Sequence, residues 1–203
     1  MASYKYYFTF LKLFVIWNPK RRKMKYLFLA ATDFELDAAR RAWPDADAEF
    51  RVSGWGAEAT LRTLEEAFAA GTPFDRIVDV GIAGSGTPSL PLGAVAHVVA
   101  EHHGDRQAPW LYNPAPWQAL DFLPKATGRT LQELDACWRA EAADIESMEG
   151  AAFFEACLRR GVPFAEIRAV SNAVGETDRS RWDIPLALRN LQTALETFKN
   201  GLK

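Results

Sequence analysis

The stretch from Gly150 to Asn172 restricts the fold more than any other part of this 203-residue chain. Ala151, Phe154, Ala156, Cys157 and Leu158 recur at helical spacing, which gives a helix from Gly150 one buried stripe. Gly161 closes that helix and Pro163 forbids its continuation. Ile167-Arg168-Ala169-Val170-Ser171 then reads as a short buried strand with Ser171-Asn172 at its carboxyl end. Ligands of open α/β sheets collect outside the carboxyl ends of strands. Glu149 at the helix entrance, Arg168 and Asn172 are therefore expected to converge on one crevice.

The rest of the chain repeats this alternation. Residues 26–31 (YLFLAA) form a near-continuous apolar run, as in a strand covered on both faces. Thr32-Asp33 is placed to cap the next helix, and Glu35 falls in its first turn, where an acid also complements the helix dipole. Phe50 to Ser53 reads as a strand ending in Gly54-Trp55-Gly56, where glycine permits a positive φ or a close backbone approach. A helix from Ala57 to Ala70 presents Leu61, Leu64, Ala67 and Phe68 on one face and stops at Gly71. Arg76 to Gly81 reads as a strand running into a glycine-rich loop, Ile82 to Gly86. Leu92 to Val99 is expected to be a fourth strand with His97 packed within it, followed by a polar loop from Glu101 to Asp105.

His102-His103 in that loop lacks the further ligands a metal site wants. Residues 107–124 are rich in Pro and Trp and read as irregular. A short strand about Ala126-Thr127-Gly128 is expected to lead to a helix over residues 130–142. Trp182 to Pro185 opens a last helix with Leu188, Leu191, Ala194, Leu195 and Phe198 on its apolar face. Strands alternating with helices point to a layered α/β fold.

Composition bounds the function. At 49% apolar and 25% charged residues the chain suits a single globular domain with a sizeable core. A net charge of −2 supplies no drive toward nucleic acid or an anionic membrane. Cys137 and Cys157 make no metal-ligand spacing and read as small buried hydrophobes, which fits a reducing cytoplasm. Residues 1–23 are aromatic and apolar, then abruptly basic. They match neither a secretory signal nor a membrane span. They are expected to be an extension outside the fold, with a membrane-surface tether as the other reading, and the domain is expected to occupy residues 24–203.

Three motifs carry a resemblance: Ser147-Met148-Glu149-Gly150, Arg168-Ala169-Val170-Ser171-Asn172, and the run SNAVGETDRSRWDIPLALRNL that begins at Ser171. Together they resemble the nucleoside phosphorylase and nucleosidase superfamily, most closely its futalosine hydrolase family, from about Met24 to Leu202. The resemblance implies a three-layer α/β/α sandwich with a central mixed sheet, and cleavage of a purine N-glycosidic bond. It places Glu35 as the activator of water and Arg168 as its partner in positioning water and ribose. Asn172 would donate to N7 or O6 of a 6-oxopurine.

Met148 and Glu149 would hold the ribose, with Glu149 accepting from both hydroxyls. Gly81, Ala83 and Gly84 would lie under ribose and base, beside Ser171, and Trp182 would pack on the 5′ substituent. Arg179 or Arg181 would meet a carboxylate at the far end of the substrate. The implied partners are a small-molecule nucleoside and further copies of the chain, with no nucleic acid, no metal and no organic cofactor. Where phosphorylases need a glycine- and arginine-built phosphate site, this chain has Asp33 and Glu35, which favours water over phosphate. Another purine nucleosidase or phosphorylase, or a nucleoside-binding protein without catalysis, stays open at this point.

Overall fold

The computed structural model describes residues 23–45, 47–71, 73–104, 109–132 and 143–202. Residues 1–22 of the expected extension, Cys137 and most of the helix expected over residues 130–142 lie outside them. In chain order the first elements are β1 (Tyr26–Ala30), α1 (Asp33–Ala42), β2 (Ala48–Val52), α2 (Ala57–Ala69) and β3 (Arg76–Ser85). Then come β4 (Val95–His103), β5 (Leu111–Tyr112), β6 (Lys125–Thr130) and β7 (Ile145–Ser147). The described chain closes with α3 (Gly150–Arg160), β8 (Phe164–Ala173) and α4 (Ile184–Gly201).

The apolar run of β1 is continuous because both faces are covered. Tyr26, Phe28 and Ala30 pack with Leu36 and Ala39 of α1 and with Leu191, Leu195 and Phe198 of α4. Leu27 and Leu29 pack with Leu64 of α2 and with Phe153, Phe154 and Cys157 of α3. Each such side chain removed from water contributes about 1.5–3 kcal/mol before entropy is charged. The result is the expected sandwich, with two helices among the described residues on each face of a mixed, eight-stranded sheet.

The sheet also curls. β3 pairs in parallel with β1 and β8, β8 pairs antiparallel with β4, and β4 pairs in parallel with β6. β6 then pairs with β7, and β7 returns antiparallel to β3. Five strands thus pair in a closed circuit, with β1 and β2 extending from β3.

Three stretches expected as loops are strand. The glycine-rich run after Gly81 continues β3 to Ser85, because β8 and β7 supply its hydrogen-bond partners. Glu101, His102 and His103 belong to β4, held by β6, and Glu101 and His102 are buried. Residues 107–124 include β5 and a 3-10 turn at Gln118–Leu120. His97 is fully buried between β6 and β8, and burial lowers its pKa to about 4, so the ring is neutral.

Candidate active site

The site forms where β1, β3 and β8 end. Glu35 faces into it from the first turn of α1, with 4% of its surface exposed. One carboxylate oxygen accepts from Thr32 N at 3.0 Å and Thr32 Oγ1 at 2.5 Å. The other crosses to β3 and accepts from Ile82 N at 2.9 Å. A residue serving only the helix dipole would not bridge two elements. Burial raises the Glu35 pKa; the hydrogen bonds and the charge of Arg168 oppose that shift without cancelling it.

Glu149 sits at the entrance to α3, 6% exposed. Its Oε1 accepts from Gly56 N at 3.0 Å, and its Oε2 from Met148 N at 3.2 Å. The first of these contacts explains the glycines of residues 54–56. Gly54 and Gly56 have φ of 85° and 86°, a region open to glycine, and this turn aims the Gly56 amide at the carboxylate.

Both acids line one cavity of about 390 Å³. Met148, Ala83, Ser171, Asn172 and Trp182 share its wall, so most of the residues singled out from sequence are brought together. Asn172 accepts from Ser171 Oγ at 2.7 Å and donates from Nδ2 to Ala173 O at 2.9 Å. Its second amide hydrogen has no acceptor among the described residues.

Arg168, Gly81 and Gly84 are placed differently, just behind the wall rather than in it. Arg168 is 1% exposed and is held by carboxylates: Asp79 at Nη2, Glu166 at Nε (2.7 Å) and Glu149 at 4.0 Å from Nη1. A side chain at Gly81 would overlap Arg168 Nη1 and reach within 3.0 Å of Glu35 Oε1. A side chain at Gly84 would lie 3.0 Å from Asn172 Nδ2.

Sequence reasoning passed over several residues of the site. Phe34, Trp55, Glu146 and Ile184 line the cavity, and Asp79 and Glu166 stand behind it on adjacent strands. A lone acid within each of two apolar strands (Asp79 in RIVDVG, Glu166 in FAEIRAV) was the available signal, since a charge there requires a partner. Arg179 also lies in the wall, its guanidinium 5.6 Å from the Trp55 ring and 5.7 Å from the Trp182 ring. Arg181 is engaged elsewhere, with Glu176 at 3.3 Å and Asp178 at 3.7 Å.

The pattern of the phosphorylase superfamily matches residues 117–200 of this chain. Similar folds include a Helicobacter pylori 5′-methylthioadenosine nucleosidase variant, with TM-score 0.76 and 16% identity, covering 89% of this chain and 99% of that one. Futalosine hydrolase of the same organism superimposes with TM-score 0.72 and 16% identity, covering 88% and 97%. In sequence, futalosine hydrolase of Streptomyces coelicolor is 30% identical over 85% of this chain and 94% of its own length. That of Thermus thermophilus is 46% identical over 38% of this chain and 34% of its own. The chain belongs to the futalosine hydrolase family.

Proposed function

We propose that this chain is an N-glycosyl hydrolase that cleaves futalosine with water, releasing hypoxanthine and dehypoxanthine futalosine. The observation that carries the reading is the pair Glu35 and Glu149, two buried carboxylates facing one cavity that also holds Asn172. Glu149, an acceptor at both oxygens, would bind the ribose hydroxyls and favour the positive charge that develops on the sugar. Glu35 would take a proton from the attacking water, and its raised pKa brings it closer to the operating pH of a general base. The free amide hydrogen of Asn172 would reach N7 or O6 as charge builds on the leaving base. An amide has no proton to give up, which suits hypoxanthine better than adenine.

Futalosine is inosine extended at C5′ by a ketone-linked benzoate. Of the two arginines considered for that carboxylate, Arg179 fits. It lies in the wall between two aromatic rings and has no ion pair among the described residues, whereas Arg181 is tied to Glu176 and Asp178. Arg179→Ala should raise KM for futalosine by about 10-fold or more, the worth of one charge-assisted contact, and leave inosine untouched. Equal effects on both substrates would remove Arg179 from that role. The same reading includes menaquinone biosynthesis as the pathway, the cytoplasm as the location and a homo-oligomer as the working form. Among the described residues no helix is long and apolar enough to cross a membrane.

The test is base release from futalosine, aminofutalosine and inosine, each with and without phosphate. Hypoxanthine from futalosine, at a rate indifferent to phosphate, is expected. Adenine from aminofutalosine as the preferred product would overturn the role given to Asn172. Dependence on phosphate would replace hydrolysis by phosphorolysis, and binding without release would leave a nucleoside-binding protein.

A further inference from the structure

The register of β3 and β8 sets Asp79 opposite Glu166 and Gly81 opposite Arg168. Alternation in a strand puts all four on one face, toward the apolar layer beneath α2 and α3. Phe164, Val170, Ile77 and Ala83 flank them on that face. An arginine buried there must have its five N–H groups satisfied by the protein.

Two of its three nitrogens are. Nη2 pairs with Asp79 and Nε with Glu166 at 2.7 Å. The third, Nη1, is buried with no hydrogen-bond partner among the described residues. It points over Gly81, where the missing side chain leaves room, toward Glu35 Oε1 and toward Glu149 Oε2 at 4.0 Å. A free guanidinium could close that last distance and form a tight pair with Glu149. Two carboxylates on the opposite edge of the fork hold it back.

We propose that Asp79 and Glu166 are positioning residues: by clamping Nε and Nη2 of Arg168 they keep Nη1 open between Glu35 and Glu149 and keep Glu149 free to accept from the ribose. Neither acid lines the cavity, so neither touches the nucleoside. This rests on the hydrolytic reading of the site.

Asp79→Asn keeps the shape and removes the charge. Outer hydrogen-bond partners of working groups are worth about 10- to 100-fold, so kcat for futalosine should fall by that factor. KM should rise as well, by about threefold or more, because a Glu149 drawn to Arg168 is no longer free for the ribose hydroxyls in the ground state. The decisive measurement is a double-mutant cycle with Arg168→Lys, which retains a positive charge and loses the fork. In that background Asp79→Asn should cost nothing further, and Glu166→Gln, tested in parallel, should behave alike. Equal losses with and without Arg168, or unchanged kcat in both acid variants, would overturn the proposal. Wild-type protein that releases no base from futalosine or inosine would instead bring down the hydrolytic reading. The same cycle is then read on inosine affinity by calorimetry, where non-additivity supports the clamp and additivity overturns it.

Discussion

At the scale of single residues, the two cavity acids do different work because their surroundings differ. Glu149 accepts from two backbone amides, at 3.0 and 3.2 Å, which fix its carboxylate without consuming every lone pair. Glu149→Gln replaces one acceptor oxygen by a donor and removes the charge facing the sugar. It should lower kcat by roughly 10²–10³-fold, the usual worth of one preorganised electrostatic partner, and unfolding curves should show the variant still folded. Burial raises the pKa of Glu35, so it holds a proton to higher pH than an ordinary glutamate at about 4.3. As a general base it works only when ionised. The rate should therefore fall as pH drops through that raised value, giving an acid limb above the usual carboxylate range. Glu35→Gln should abolish the limb and cost about 10²–10⁴-fold in kcat. A limb that survives in the variant would assign the titration to another group.

At the scale of elements, the site depends on strand ends held in place by the starts of helices. Asp183 shows how. Its side chain accepts from Leu186 N at 3.0 Å and caps α4, and its own N–H donates to Ser171 O at 2.8 Å, next to Asn172. Asp183→Ala removes the cap and should cost about 1 kcal/mol, read as a fall in Tm of roughly 2–4 °C for a chain of this length. The elements most legible in the sequence were those whose local signals agree with their surroundings. β1 was continuous in its apolar run, and α3 was closed by Gly161 at φ 63° with Pro163 beyond. Glu35, Glu149 and Asn172 were legible because motif and element boundary coincide at each.

The far ends of β3 and β4 were not legible. Glycine at 84 and the polar run Glu101-His102-His103 argue locally for loops, and only the closing of five strands into a circuit supplies their hydrogen-bond partners. The same long-range pairing brings Asp79 next to Arg168 from 89 positions away, which no local pattern records.

Across the whole molecule, the layer behind the cavity holds a charge imbalance. Glu35, Asp79, Glu101, Glu149 and Glu166 are all buried, and among the described residues the one cation buried with them is Arg168. Five carboxylates cannot all ionise around one guanidinium in a medium that solvates charge poorly, so protons must stay on some of them. Glu101 is the best placed to keep one. Its Oε2 accepts from Thr130 Oγ1 at 2.9 Å, its Oε1 has no partner among the described residues, and Gly128 and Gly150 leave it room. Burial first, and then the neighbouring Glu166, raise its pKa well above the ordinary value.

The consequence for stability has a definite sign. Above about pH 4.3 the unfolded chain releases this proton while the folded chain keeps it, so rising pH pulls toward unfolding. The contribution of Glu101 is complete below that value and is lost as pH climbs through the raised folded pKa. A glutamine carries its hydrogens at every pH, can keep the bond from Thr130, and has an amide to turn toward Glu166. Glu101→Gln should therefore melt close to wild type near pH 4 and above it at pH 7 to 8, by roughly 2–4 °C for each kcal/mol recovered. Melting curves of both proteins across that range decide the point: a gap that widens with pH locates the proton on Glu101, and a constant gap would place it on another of the five acids.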